Sequence, residues 1–215
     1  IFTLSPHYSS QEKITNLLLK LSHQIIAQCK KNIKLELLFG GDVIGSMKSL
    51  AENIACCTQW RKIYDRTVIA ISKADKKNWN DFDHGTIFAQ IEAFKKRCQD
   101  LREICEGQLQ FARKSSKSDG KNEKAPVPSF GGSTGANIGE SLYEIEDAFY
   151  KHLNKVKRLD YDILDVKSTD WHDDYNIFKN GMSDLEVMMT NVVSSAWEGI
   201  STVKDGAELL SAFFE

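Results

Sequence analysis

Apolar side chains recur along this chain in alternating steps of four and three, and they do so over long distances. In residues 43–71 the series is Val43, Met47, Leu50, Ile54, Cys57, Tyr64, Val68 and Ile71, with Arg61 its one member out of character. Residues 87–112 carry Ile87, Ile91, Phe94, Cys98, Leu101, Cys105, Gln108 and Ala112; residues 178–199 carry Phe178, Met182, Leu185, Met189, Val192, Ala196 and Gly199. Shorter series are Ile14, Leu18, Leu21 and Ile25 within 11–31, and Leu142, Ile145, Phe149, Leu153 and Val156 within 138–158. A helix of about 3.6 residues per turn places each such series on one face, which must be buried against another element. Strand-type alternation is absent. At a rise of about 1.5 Å per residue the longest segments reach about 40 Å, beyond the usual helix of a compact enzyme.

Trp60 and Ile63 flank Tyr64, and Met188 and Val193 flank Met189, so the stripes are wider than a two-stranded coiled coil requires and imply multi-helix packing. The expected fold is all-α, an elongated multi-helix bundle of long antiparallel helices. A first part, 1–113, holds helices at about 11–31, 43–71 and 86–113; a second, 138–215, holds helices at about 138–158, 171–199 and 201–214. Between them, 114–137 is rich in Ser, Gly, Lys and Pro and is expected to be a flexible loop.

Composition narrows the function. Hydrophobic residues make up 41% and charged residues 27% of the 215, the balance of an ordinary globular chain. A formal net charge of −2, with Lys and Arg spread along all segments, gives no basic stripe for a nucleic-acid backbone. No apolar run approaches the ~20 residues that span a bilayer, so a soluble protein is expected. The N-terminus "IFTLSPHYSSQEK" has no initiator Met, basic stretch or cleavage site, and is read as starting inside a longer polypeptide. The five cysteines are odd in number, include the adjacent pair Cys56 and Cys57, and show no C-x-x-C spacing. A reducing compartment follows, with Cys98 and Cys105 as small core residues.

Three stretches invite a chemical reading. "FGGSTGANIGESLYEIEDAF", 130–149, runs from glycines into a helix, the layout of a phosphate cradle. A P-loop continues its last glycine with Lys and a hydroxyl residue, whereas Glu140 follows Gly139 here. A carboxylate there repels phosphate, so an exposed helix entrance is the better reading. His172, Asp173 and Asp174, with Asp170, are metal-ligand types, but consecutive residues fan out around a helix; capping by Thr169 or Asp170 explains them better. "NWNDFDHGTIF", 78–88, holds Asp81, Asp83 and His84; Asp83 or Thr86 as N-cap, with Trp79 and Phe82 covering the helix entrance, accounts for them without catalysis. No catalytic, cofactor-binding or metal-binding residue is assigned.

Two long stretches, "DFDHGTIFAQIEAFKKRCQDLREICEGQLQFAR" and the run from "PVPSFGGSTGANIGESLYEIEDAF" through "DYDILDVKSTDWHDDYNIFKNGM" to "DGAELLSAF", resemble the N-terminal tail, or stem, of dynein heavy chains. They span roughly residues 79–215 and are most similar to axonemal, outer-arm-type chains; the insert "KSSKSDGKNEK" departs from the pattern. The resemblance implies an all-α tail that carries intermediate chains and light chains, packs against other heavy chains and docking proteins, and reaches the microtubule only indirectly. It implies a cytoskeletal, axonemal location in a cilium or flagellum. The nucleotide loops of the motor, with their ATP and Mg, lie far downstream in that family, leaving no cofactor for this segment. Trp79, Phe82 and Trp171 lie off the stripes at helix entrances and are the candidate aromatic anchors for an associated subunit. Rival readings are a helical tether or coat protein unrelated to motors, and a helical nucleotide- or metal-dependent enzyme.

Overall fold

A computed structural model of the chain describes residues 10–74, 82–112, 115–118, 121–124 and 132–214. Seven helices are found among them, α1 (Gln11–Asn32), α2 (Leu35–Phe39), α3 (Val43–Ala74), α4 (His84–Phe111), α5 (Gly132–Lys157), α6 (Asp170–Glu198) and α7 (Val203–Phe214). The all-α class holds. The described residues add one short hairpin, β1 (Ser115–Ser118) antiparallel to β2 (Lys121–Lys124), with Ser115 opposite Lys124. Both the hairpin and the first turns of α5 occupy the 114–137 stretch read as loop: α5 starts at Gly132, so Gly132, Gly135 and Gly139 are helical. A period-based reading misses strands this short.

Local chemistry sets the helix ends. Ser10 accepts from the Lys13 N–H to open α1, and Lys30 and Lys31 lie in its last turn, where cations suit the helix dipole. After α2 the chain reverses through Gly41, whose φ of 102° lies in the left-handed region that glycine enters without a Cβ penalty. Asp42 then accepts from the Gly45 N–H at 3.2 Å and starts α3.

The chain divides into two compact units, Ile1–Cys105 with Tyr161–Ser168, and Glu106–Asp160 with Thr169–Glu215. In the first, α1 and α3 are antiparallel, since Trp60 meets Ser22 midway along α1 while Asn53, earlier in α3, meets Cys29 and Asn32 near the end of α1. The Trp60 indole N–H donates to Ser22 Oγ at 3.0 Å, and Asn53 Nδ2 donates to the Cys29 carbonyl at 3.0 Å. Rings join α3 to α4: Tyr64 lies edge-on to His84 (5.3 Å) and Phe88 (4.9 Å), and the Arg61 guanidinium sits 4.4 Å above Phe88. That stacking, with Arg61 also donating to Asp65, explains a cation within an apolar series. On α4, Ile87, Phe94, Cys98, Leu101, Ile104 and Cys105 are wholly buried.

The α1 face differs from the one expected. Leu21 is 42% exposed, whereas Ser22, Ile26 and Cys29 are buried, a stripe rotated by one position. A pattern that scores only hydrophobicity passes over Ser22, which is buried because it accepts the Trp60 hydrogen bond.

In the second unit α5 and α6 are also antiparallel. Ile138 clusters with Ala196, Leu142 and Val192, and His152 lies on Gly181, so contacts retreat along α6 as α5 advances. Leu209 of α7 joins the Ile138 cluster, and Phe149 packs on Phe111 with ring centroids 5.9 Å apart. A Cβ on Gly181 falls 2.5 Å from the His152 ring, so only glycine admits the imidazole there. His152 Nδ1 is buried without a hydrogen-bond partner.

Gly181→Ala is expected to destabilise the chain by about 1–3 kcal/mol through overpacking. In a His152→Ala background the same change is expected to stabilise by about 0.5–1 kcal/mol, because alanine suits a helix interior better than glycine. Denaturant midpoints of the four proteins check both signs.

Burial holds the His152 pKa below the ordinary 6.5, Lys155 pushes it the same way, and Asp184 opposes them. Below 6.5 the unfolded chain therefore binds a proton that the folded one refuses. The contribution of this histidine to stability is complete above that value and declines as pH falls toward the lowered one. Thermal midpoints measured at falling pH should drop faster for the parent than for His152→Gln.

Candidate functional site

The chemistry-bearing stretches resolve into helix starts. Asp83 accepts from the Thr86 N–H at 3.1 Å and from the Thr86 hydroxyl, capping α4; these bonds, the hydroxyl's first, hold its carboxyl below the usual range. At α6, Thr169 occupies the N-cap but makes no side-chain bond to the helix, and its hydroxyl donates instead to Asp170. The cap expected from Thr169 or Asp170 is thus not formed. Its backbone explains this, since φ −77° and ψ −26° are already helical, whereas a capping residue is usually extended. Asp170 and Asp173 sit in the first turn, where the dipole favours anions, and exposed His172 contacts Asn176 at 3.0 Å. Among the described residues no three His, Cys, Asp or Glu side chains are grouped as a metal ion needs.

Of the three candidate anchors, Trp79 lies outside the described residues. Phe82 is buried at the entrance to α4, and Trp171 is 3% exposed and stacked on Tyr175 at 5.7 Å. A side chain so buried reaches a partner only through the fold of its own unit. The large apolar groups that do reach solvent on α6 are Ile177, Val187, Met188 and Trp197, which the stripe analysis did not single out as surface.

The most specialised constellation lies elsewhere, around Arg97. This guanidinium is 6% exposed on α4 and donates to the Ile163 carbonyl. Ile163 belongs to "DYDILDV", where aspartates spaced three apart fold the chain on itself: Asp162 Oδ1 accepts from the Leu164 N–H at 2.9 Å, and Asp165 Oδ1 from the Lys167 N–H at 3.0 Å. Ile163 and Leu164 are thereby buried, and Asp162 pairs with Lys30 of α1 at 3.6 Å. Burial lowers the Arg97 pKa, and Asp100, Tyr161, Asp162 and Asp165 oppose it, so the cation is kept by a surrounding of acidic groups. Asp100, itself 4% exposed, also pairs with Lys96. This constellation contains no nucleophile, base and orienting group in series, and what it does is fasten residues 161–168 to α1 and α4.

Comparison with known proteins decides the family. The pattern of the dynein heavy chain, N-terminal region 1, matches residues 1–215. The chain belongs to that family. The dynein segment is 40% identical over 213 residues to the Dynein-1-beta heavy chain of the flagellar inner arm I1 complex of Chlamydomonas reinhardtii, an alignment covering 99% of this chain and 4% of that one. It is 46% identical to mouse Dynein axonemal heavy chain 2 over 113 residues, 53% of this chain and 2% of the relative. The Dynein beta chain of the Chlamydomonas flagellar outer arm is 20% identical over 219 residues, covering 99% of this chain and 4% of the relative. These identities do not confirm the outer-arm type of the resemblance. As an N-terminal region, the dynein segment is not the catalytic part of the heavy chain.

Arg97→Ala should cost about 3–5 kcal/mol, the usual penalty for leaving buried charge uncompensated, because the Ile163 carbonyl loses its donor and buried Asp100 a neighbouring cation. Arg97→Lys should recover only part of it, since an ammonium cannot serve both directions as the planar fork does. Urea midpoints with unchanged slopes check this, and an unaltered Arg97→Ala midpoint sinks it.

Proposed function

We propose that this segment is a structural and subunit-assembly element of an axonemal dynein heavy-chain tail of the inner-arm I1 type. In this reading it links an ATP-driven, microtubule-based motor, whose nucleotide sites lie elsewhere in the parent chain, to intermediate chains, light chains, neighbouring heavy chains and docking proteins. Its place is the cytoskeleton of the cilium or flagellum, and it holds no cofactor of its own. The observation that carries this is the family match over the whole chain together with 40% identity to an inner-arm heavy chain. The physics agrees: long helices with continuous buried faces transmit load along their axes, and the specialised polar chemistry fastens chain to chain.

Among the aromatic candidates, the proposed anchor role centres on Trp79, with Phe82 and Trp171 supporting helix entrances that are buried in their own units. Deleting the segment from the full heavy chain in ciliated cells should leave the motor's ATPase activity in place while intermediate chains and the companion heavy chain are lost from the purified complex. Trp79→Ala should weaken that recovery with helicity unchanged, whereas Trp171→Ala should lose both together. Normal subunit stoichiometry after the deletion refutes the assembly role.

A further inference from the structure

The cysteines of α1 and α3 meet at one level of the first unit. Asn53, Cys56 and Cys57 stand three and four residues apart, one helical turn, and Asn53 is bonded to the backbone of Cys29 itself. Cys29 is 4% and Cys57 2% exposed, while Cys56 is exposed; Cys29 and Cys56 line the same solvent-open groove with Leu21, Ile25 and Asn53. An accessible thiol beside a sheltered one, on different helices, has the layout of an attacking and a resolving pair.

We propose that Cys56 and Cys29 form a hydroperoxide-operated dithiol–disulfide site that staples α1 to α3. The Cys56 sulfur attacks the outer oxygen of the peroxide, the O–O bond breaks, and with hydrogen peroxide one water leaves and a sulfenic acid remains. The Cys29 sulfur then attacks the sulfenic sulfur; the S–S bond forms, the S–O bond breaks, and a second water leaves with the Cys29 proton. Two thiols have supplied two electrons, and a small thiol reductant reverses the bridge by exchange. Cys57 is excluded from solvent, and a ring between adjacent Cys56 and Cys57 would distort the helical peptide joining them. Burial, then the Cys29 thiol, raises the Cys56 pKa, while the neighbouring Cys57 thiol and burial raise that of Cys29.

The intact heavy chain in its native complex is treated with graded hydrogen peroxide, alkylated, digested with trypsin and analysed without reduction. The expected product is a disulfide joining LSHQIIAQCK (21–30) to SLAENIACCTQWR (49–61), with fragment ions placing the bond on Cys56, and lost on treatment with dithiothreitol. Cys56→Ser, at an exposed position, should abolish the linked peptide, and Cys29→Ser should divert Cys56 to sulfinic acid at the same peroxide dose. A linked peptide that persists in Cys56→Ser overturns the proposal, as does parent protein whose Cys56 reaches sulfinic acid as readily as it does in Cys29→Ser.

Discussion

A guanidinium cannot give up its charge inside a protein, so once Arg97 is turned into the buried face of α4 the surrounding chain has to answer it. The answer comes from residues 161–168, which belong to the first unit although α5 before them and α6 after them belong to the second. Their carbonyl at Ile163 accepts from the arginine and the nearby charges of Asp162 and Asp165 favour it, while the same aspartates accept from the local backbone to make the turn that presents that carbonyl. Removing the charge leaves acceptors without a donor; removing the turn leaves the charge without acceptors. That reciprocity fixes where the chain goes after α5.

The apolar part of each core is less demanding. On α4 the buried set covers more than one stripe, since Phe88, Ile104 and Phe111 add to the expected line of Ile87, Ile91, Phe94, Cys98 and Leu101. A helix buried over so wide an arc packs against several neighbours. The same breadth explains why its buried polar groups, Arg97, Asp100 and Gln108, are bonded rather than turned to solvent.

Much of this was legible in the sequence, for a physical reason. Periodicity reports which face of a helix is excluded from water, and α3, α5 and α6 bury Leu50, Cys57 and Tyr64, Ile145 and Phe149, and Phe178 and Leu185 as the series requires. What it could not report were contacts made by polar atoms across long sequence separations. Ser22 and Asn53 belong to none of the apolar series, and Trp60 and the Cys29 carbonyl are what hold them inside. Arg61 reads as an error in its stripe until Phe88 lies beneath it. Trp171 stood out as an anchor for the opposite reason: off its stripe, it was free to be imagined at the surface, and only Tyr175 and its burial place it inside.

These polar contacts also do something that the apolar series cannot. Val43, Leu50, Cys57 and Tyr64 repeat every seven residues, so sliding α3 by one such repeat, about 10 Å along its axis, still presents an apolar face to its neighbours. Hydrophobic burial alone separates those registers only weakly. A slide of that size strands the Trp60 N–H away from Ser22 and moves Asn53 off the Cys29 carbonyl, leaving two buried polar groups unsatisfied at about 1–3 kcal/mol each. The Arg97 bond to Ile163 discriminates in the same way for α4 and the segment folded on it. A unique register keeps each exposed residue at a fixed height along the helix. The few buried polar groups of the first unit thereby determine which surface its helices offer.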